Sequence, residues 1–329
     1  MTPGKISVII PSCNERHLQR TIDSVLAGAT GDVEVLPCLD GWWPDPALKE
    51  DPRVRTLHWG ERTHMRPMEN AAARVATGEF LMKLDSHCIM APGWDAALKL
   101  HCEPGDLVVP TRHSIDEPNW AMRPRDYNYH YLTFPFSMSM YGYGLHGKTF
   151  GVNTRGADGL TDNARINRDR QHLPVDDLMS FQGSCWFQRK ADFDRLGPLD
   201  HAEYYFYSEA IEVGMRVWAT GRRCLIDKTT WYAHLHKGKD NVGADGRVGR
   251  GFYLSMDRKR KSEAYATDFW VGNRWPGSTV TFVQFIERFQ WLIDRIVDAK
   301  DQWPADWRDF EKHRREFESR PADRIPVHL

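Results

Sequence analysis

The sequence lacks the features that would mark a membrane-spanning, secreted or zinc-binding chain. It contains no run of about 18 apolar residues, so no membrane span is predicted. Its N-terminus has no apolar signal segment and runs directly into the strand-like residues Lys5 to Ile10. The six cysteines form no Cys-x-x-Cys pair, which argues against a zinc site or a redox motif. These absences predict free thiols in a reducing, cytoplasmic compartment, with no membrane contact and no obligate protein partner.

An excess of charge of one sign is also absent. The 44 lysines and arginines nearly balance the 45 aspartates and glutamates. Whole-chain charge therefore favours no particular partner, and any basic surface must be local. The clearest local candidate is the stretch 231–265, which includes the run Arg258 to Lys261 and has aromatic residues among its cations. This stretch is interpreted either as a track for nucleic-acid phosphates or as a loop that closes over a bound diphosphate.

Short apolar strands alternate with helical segments at the start of the chain. Strands are predicted at residues 5–10, 33–39, 53–59, 79–84 and 106–109. Helices are predicted at residues 16–28, 67–77 and 91–101. This alternation predicts an α/β fold with a doubly wound, mostly parallel sheet. Further elements are predicted as strands at 181–189, 225–226 and 230–236 and helices at 209–220 and 279–298, after a long irregular insertion at 112–175.

Three polar features directly follow predicted strands. They are the loop Pro11-Ser12-Cys13-Asn14-Glu15, the pair Asp40-Gly41 and the run Asp85-Ser86-His87. In doubly wound sheets, ligands bind beyond the carboxyl ends of the strands. The pattern therefore predicts an active site at this edge of the sheet.

The Asp85-Ser86-His87 run is the strongest chemical signal. An aspartate and a histidine two residues apart at a strand end can reach one metal ion together. A divalent cation would offset the charge that develops on a diphosphate leaving group. His234 and His236 lie on one face of a later strand, so one can complete the metal shell while the other contacts phosphate. The alternative is a capping aspartate beside surface histidines.

The helix predicted at 209–220 carries a second signal. Glu209, Glu212 and Arg216 share one of its faces. One interpretation places Glu209, at the helix start, against the hydroxyls of an acceptor or a sugar. The other is a solvated charged face with an ion pair inside the helix.

Two stretches resemble a known family. Ser7 to Glu15 resembles the opening strand of the large GT-A glycosyltransferase family. Phe80 to Cys88 resembles the polypeptide N-acetylgalactosaminyltransferases, whose metal motif is Asp-x-His followed by Cys. Glu209-Ala210-Ile211-Glu212, Arg216-Val217-Trp218 and Ala233-His234 follow in that family's order and spacing. The resemblance covers about residues 5–237. It implies a GT-A fold with a C-terminal helical extension and a metal-dependent hexosyltransferase that uses a UDP-sugar.

The resemblance also assigns residues. The implied ligands of Mn²⁺ (or Mg²⁺) are Asp85, His87 and His234, with His236 in reserve. The implied nucleotide-sugar-binding residues are Pro11, Ser12, Asn14, Glu15, Asp40, Arg66, Asn70, Asp85, Ser86, Gln182, Gly183 and His236. The candidate catalytic residues are Glu209 and Glu212. The implied domains are a catalytic unit at 1–237, divided at residue 111 into nucleotide and acceptor halves, and a basic loop with helices at 238–329.

Departures from the family shape the remaining expectations. Inverting relatives carry an aspartate as general base where this chain has Ala210, so a retaining reaction is expected. The compact, cytoplasmic form resembles phage-type enzymes, which favours glucose transfer to hydroxymethylpyrimidine bases of DNA in a bacterium or phage-infected cell. A glycan or protein acceptor remains open, as does a non-catalytic nucleotide-sugar-binding module. The segment 237–261 is predicted to act as a mobile lid over the donor.

Overall fold

The computed structural model describes residues 1–125, 128–139, 142–149, 159–236, 242, 246, 255–296 and 302–319. Within these residues the strands are β1 (Thr2–Ser12), β2 (Val33–Asp40), β3 (Leu57–Trp59), β4 (Gly78–Leu84), β5 (Cys88–Met90), β6 (Leu107–Asp116), β7 (Ala121–Arg123), β8 (His130–Leu132), β9 (Met138–Ser139), β10 (Gly142–Tyr143), β11 (Gly147–Thr149), β12 (Val175–Asp177), β13 (Cys185–Arg189) and β14 (Cys224–His234). The helices are α1 (Leu18–Gly28), α2 (Met65–Val75), α3 (Trp94–His101), α4 (Asp162–Asp169), α5 (Lys190–Leu196), α6 (His201–Tyr204), α7 (Glu209–Ala219), α8 (Met256–Val271), α9 (Phe282–Arg288), α10 (Gln290–Ile293) and α11 (Phe310–Glu318).

One ten-stranded sheet forms the centre of the molecule. Its main path runs in the order β12-β14-β6-β13-β4-β1-β2-β3, while β5 pairs with β14 and β7 pairs with β6. The pairings of β3, β2, β1 and β4 are parallel, as is that of β6 with β14. Strand β13 is antiparallel to both of its neighbours, β4 and β6. The sheet is therefore mixed but mostly parallel along its main path, as the alternation of strands and helices predicts.

Side chains that alternate along the strands pack into two apolar cores on opposite faces of the sheet. In β4, Phe80, Met82 and Leu84 contact the core that includes α1 and α3, whereas Leu81 faces the core that includes α2, α7 and α9. This is the period of two that a strand with both faces covered must show. Lys83 shares the face of Leu81, so its charge enters the second core.

Several predicted boundaries are wrong. The two short strands predicted at 225–226 and 230–236 form the single strand β14, whose register shifts between Asp227 and Trp231. The helix predicted at 279–298 is divided into α9 and α10 at Phe289, a fully buried residue. The predicted insertion at 112–175 contains the end of β6, the strands β7 to β11 in small pairings, and α4.

The predicted lid falls largely outside the described residues. Of the segment 237–261, residues 237–241, 243–245 and 247–254 are not described, and residues 256–261 form the first turns of α8. Ser255 caps that helix through its side chain, which accepts a hydrogen bond from the Arg258 amide. In the described part of the chain, no helix is long and apolar enough to cross a membrane.

Candidate functional site

Strand pairing brings the three predicted metal ligands together. Asp85 follows the end of β4, and its amide donates to the carbonyl of Ser184 at 2.8 Å. His87 immediately precedes β5, which pairs antiparallel with β14 so that His234 lies opposite Cys88. The ligand atoms of Asp85, His87 and His234 all lie within 4.8 Å of one another. Two residues that are two positions apart in the sequence and a third about 150 residues away thus converge at the predicted edge of the sheet.

Protonation of the cluster suits a cation. Burial alone would raise the pKa of the Asp85 carboxyl, but the Lys83 ammonium and the His234 imidazole hold it well below its ordinary value. Burial lowers the pKa of His234 to about 3, although Asp85 partly opposes the shift. The site therefore offers a carboxylate and a neutral imidazole, the forms that bind metal. The Nδ1 atom of His234 is buried and has no hydrogen-bond partner among the described residues. This donor set fits Mn²⁺ and related divalent ions.

Glu15 lies against His87. The Oε2 atom of Glu15 lies 3.0 Å from the Nδ1 atom of His87, and its Oε1 atom accepts from the amide of His17 at 2.9 Å. Glu15 is only 4% exposed. A carboxylate on one ring nitrogen orients the other nitrogen toward a metal. The structure thus places Glu15 behind His87, while a direct nucleotide contact by Glu15 stays a prediction.

His236 lies outside the cluster. Strand β14 ends at His234, and His236 is exposed two residues beyond the strand. The ring centroids of His234 and His236 are 6.5 Å apart. Of the two histidines, the structure thus places His234 beside Asp85, whereas a phosphate contact by His236 stays a prediction.

The first loop and the end of β2 lie on the same edge of the sheet. Ser12 is buried, and its carbonyl accepts from the Trp42 indole at 2.9 Å. Asn14 has a positive φ of 50°, which turns the chain sharply after β1. The Asp40 carboxylate accepts from the amides of Thr63 at 2.6 Å and His64 at 3.2 Å. Asp40 thus holds the loop before α2, while nucleotide contacts by Pro11, Ser12, Asn14 and Asp40 stay predictions.

The side chains of Arg66 and Asn70 form hydrogen bonds with other residues of the protein. Arg66 is fully buried, and its Nε atom donates to Glu212 Oε2 at 2.7 Å. Its two other nitrogens donate to the carbonyls of Tyr205 and Tyr207. The Asn70 amide group exchanges two hydrogen bonds with the backbone of Leu199. These hydrogen bonds tie both side chains to residues 199–207 and, for Arg66, to Glu212 in α7, while a contact of Arg66 or Asn70 with the nucleotide sugar stays a prediction.

Glu212 is likewise hydrogen-bonded within the protein, and its catalytic role stays a prediction. It is 0% exposed, and Arg66, Arg216 and the amide of Asp200 donate to its two oxygens. The Glu212–Arg216 contact at 2.7 Å is the ion pair inside the helix that the sequence left as an alternative. Both carboxylate oxygens of Glu212 thus accept hydrogen bonds from the protein itself.

Glu209 lies beside the cluster and is held by two donors. Its Oε1 atom accepts from the Trp186 indole at 2.8 Å, and its Oε2 atom lies 3.2 Å from the ammonium of Lys83. Burial raises the pKa of Glu209, and Lys83 partly opposes that shift. Lys83 and Trp186 were missed by the sequence reasoning. A lone lysine in the apolar strand Phe80 to Leu84 is the signal that could have identified the first of them.

The segment before β13 completes the site. Gln182 accepts from the buried guanidinium of Arg112 and from the Ser184 hydroxyl at 3.0 Å. A Cβ on Gly183 would lie 2.8 Å from Glu209 Oε2, so only glycine fits there without displacing that carboxylate. Ser86 is 5% exposed between two members of the cluster. Sugar contacts by Gln182, Gly183 and Ser86 stay predictions.

The family model for glycosyl transferase family 2 matches residues 7–197. Polypeptide N-acetylgalactosaminyltransferase 5 of Caenorhabditis elegans is 27% identical over 190 residues, which cover 56% of this chain and 28% of the relative. Polypeptide N-acetylgalactosaminyltransferase 3 of Mus musculus is 26% identical over 249 residues, which cover 71% of this chain and 37% of the relative. The chain thus spans well under half the length of these curated relatives.

A crystal structure of GalNAc-T7 with UDP, GalNAc and Mn²⁺ is similar to this chain with a TM-score of 0.58 at 16% identity. The similarity covers 95% of this chain and 55% of that one. It confirms the predicted GT-A fold.

Proposed function

The chain belongs to glycosyl transferase family 2, and on that premise we propose that it transfers a sugar from a UDP-sugar to an acceptor hydroxyl with the aid of one divalent cation. The observation that carries the proposal is the convergence of Asp85, His87 and His234 within 4.8 Å at the carboxyl edge of the sheet. A module that only bound a nucleotide sugar would not require a cation for a leaving group. The cluster therefore favours an enzyme over a binding protein.

Each part of the site has a distinct role in this proposal. Asp85, His87 and His234 hold the cation, which when bound offsets the charge that develops on the diphosphate. Glu15 orients His87 from behind through the 3.0 Å contact at Nδ1. Glu209, fixed by Trp186 and Lys83, presents a carboxylate beside Gly183, where the sugar is proposed to lie.

Retention of the anomeric configuration is part of the proposal. The helix position at which inverting relatives carry a base is Ala210 in this chain, which cannot take a proton. Glu209 accepts hydrogen bonds at both of its oxygens, which disfavours it as a replacement base. Proton NMR would give the anomeric configuration of the product. A product with the same configuration as the donor would support retention, and a product with the opposite configuration would contradict it.

For the finer substrate identity, we propose glucose as the sugar and a hydroxymethylpyrimidine base of DNA as the acceptor. The exposed Arg258 side chain, whose guanidinium lies 4.2 Å from the Tyr205 ring centroid, offers a contact for a phosphodiester. The five buried cysteines are free thiols, which fits the reducing cytoplasm where such DNA is found.

The decisive experiment is an assay of the purified chain with a panel of sugar nucleotides, with Mn²⁺ or excess chelator. Acceptors would be DNA with hydroxymethylated bases, unmodified DNA, peptides and glycans. We expect Mn²⁺-dependent hydrolysis of UDP-glucose and faster transfer to the modified DNA. Full activity in chelator would contradict the metal role. Tighter calorimetric binding of GDP than of UDP would contradict the donor.

Reversing the charge of Arg258 tests whether this residue binds the acceptor or the donor. Arg258→Glu should reduce transfer to DNA far more than hydrolysis of the donor, and the effect should shrink at high salt. Arg314→Glu, an exposed arginine on α11 that pairs with Glu318, is a matched control. Equal loss of both activities in Arg258→Glu would assign that residue to the donor. Transfer to peptides or glycans alone would return the acceptor to those classes.

A further inference from the structure

Lys83 is a buried cation in a strand that is otherwise apolar. It is 1% exposed and lies on the face of β4 that contacts the core near α2 and α7. A lysine is almost never buried in this way unless partners satisfy its charge. Its ammonium has three acceptors: Asp85 Oδ1 at 2.7 Å, Glu209 Oε2 at 3.2 Å and the carbonyl oxygen of Gly183. These three acceptors match the three N–H bonds of an ammonium.

The three acceptors belong to three separate parts of the site. Asp85 follows β4, Glu209 begins α7, and Gly183 precedes β13. Because Lys83 occupies Oδ1 of Asp85, the other oxygen is directed at the histidines. Asp85 Oδ2 lies 3.2 Å from the Nε2 atom of His234 and 3.9 Å from that of His87. One side chain thus determines which carboxylate oxygen enters the cation cluster.

We propose that Lys83 is a positioning residue that holds Asp85, Glu209 and the Gly183 backbone in one arrangement before cation and donor bind. The inference rests on the proposed function and extends it to a residue outside the metal shell. Lys83 does not itself touch the cation, whose charge it would repel. Its effect on binding comes from the fixed orientation of Asp85, as with other groups that orient metal ligands from behind.

The test is the affinity of the chain alone for Mn²⁺, measured as free Mn²⁺ by electron paramagnetic resonance without any donor. Lys83→Met keeps the length of the side chain and removes the ammonium. We expect the Kd for Mn²⁺ to rise at least about tenfold, the usual effect of losing such a support. Lys190→Met is the matched control, since Lys190 is 8% exposed and its ammonium lies 2.6 Å from Asp194 in α5, away from the cluster. The Kd of Lys190→Met for Mn²⁺ should equal that of the unaltered chain.

Lys83→Arg separates positioning from charge. Arginine keeps the positive charge but places its donors differently, so positioning predicts weaker Mn²⁺ binding in this variant also. A Kd within twofold of the unaltered chain, or a lower one, in folded Lys83→Met would overturn the inference. Unaltered binding in folded Lys83→Arg with weaker binding in Lys83→Met would reduce Lys83 to a source of charge, which also overturns it.

The folding of each variant and its Mn²⁺ binding are measured separately. Circular dichroism and thermal melting establish which variants are folded. If neither Lys83→Met nor Lys83→Arg folds, Lys83 is a residue of the core and the inference is overturned. If the unaltered chain binds no Mn²⁺, the metal role in the proposed function fails. Binding by the unaltered chain with no change in the folded variants contradicts the inference alone.

Discussion

Helix α7 carries Glu209 beside one polar cluster and Glu212 within another, and the two clusters differ in one respect. We call Asp85, His87 and His234 the cation cluster, which Glu209 adjoins through Lys83. We call Arg66, Glu212 and Arg216 the anchor cluster. In the anchor cluster, every contact pairs a donor with an acceptor: Glu212 receives Arg66 at 2.7 Å and Arg216 at 2.7 Å. In the cation cluster, the ligand atoms of one carboxylate and two imidazoles converge within 4.8 Å, and Asp85 Oδ2 lies 3.2 Å from the Nε2 atom of His234.

This difference shows that burial and charge do not identify a binding site. Glu212 is 0% exposed and Glu209 is 6% exposed, and both belong to the first turn of α7. Removing one partner from a buried cluster of matched donors and acceptors leaves an uncompensated charge, whereas a converging carboxylate and two imidazoles can bind a cation. The four predictions below test this distinction, beginning with the largest effect.

Asp85→Asn should reduce sugar transfer by at least about a thousandfold, because a cation that stabilises the leaving group contributes several kcal/mol to the transition state. The amide oxygen can still accept from Lys83, so the variant should stay folded. Transfer and donor hydrolysis at saturating Mn²⁺ would be compared with the unaltered chain. A loss of less than tenfold would remove the cation cluster from the chemistry.

Glu212→Gln should lower the free energy of unfolding by about 3 kcal/mol, since it leaves the buried Arg66 guanidinium without its carboxylate. Urea denaturation followed by circular dichroism would measure the change. The matched control is Glu203→Gln on α6, an exposed residue whose effect should stay within about 0.5 kcal/mol. At low temperature, where the variant is folded, its Mn²⁺ affinity should be normal. Weakened Mn²⁺ binding would show that the two clusters act as one.

The third prediction concerns pH and His234 in the metal-free chain. The pKa of His234 is about 3 in the folded chain against an ordinary value of 6.5, because burial disfavours the charged ring. Between these values the unfolded chain binds the extra proton, so stability must fall as the pH falls from 6.5 toward 3. The slope is at most about 1.4 kcal/mol per pH unit.

His234→Gln removes this titration and should flatten that part of the dependence. Urea unfolding at several values between about pH 5 and 7 would give the difference between the two chains, above the range where Asp85 is protonated. The stability difference between the unaltered chain and the variant should therefore shrink as the pH is lowered. A difference that does not depend on pH would mean that His234 is charged or solvated in the folded state.

Glu69→Gln should have the smallest effect, within about 1 kcal/mol at pH 7. Glu69 is 1% exposed, and neither carboxyl oxygen has a hydrogen-bond partner among the described residues. Burial, and then the nearby Glu209, raise the pKa of Glu69 well above its ordinary value. Glutamine imitates the neutral acid in size and shape. A loss of 3 kcal/mol or more would show instead that Glu69 is ionised and paired with Lys83 or Arg66.

The sequence predicted the cation cluster better than the anchor cluster, for a physical reason. Asp85 and His87 are two residues apart at a strand end, so local periodicity places both at the ligand edge. Arg66 and Glu212 are 146 residues apart, and nothing near Arg66 marks its partner. The sequence therefore did not reveal that Arg66, Asn70 and Glu212 hydrogen-bond to distant parts of the protein, and their roles toward a ligand stay predictions.

The choice between His234 and His236 also depended on long-range pairing. Both histidines have the spacing of one strand face, but β14 pairs with β5 only as far as His234. That pairing sets His234 beside His87. The division of α9 from α10 lies at the buried Phe289, where the sequence has no proline or glycine that would have marked it.

The amino-acid sequence by itself determined the α/β alternation, the edge of the sheet where polar residues gather and the Asp-x-His motif, because each follows from the period of a strand or helix. Only the tertiary structure decided which polar residues face one another. It directed Glu209 toward Lys83 and Glu212 toward Arg66, although both carboxylates begin the same helix. That choice depends on long-range pairings such as those of β13 with β4 and of β14 with β6, and such distant contacts have no local period in the chain.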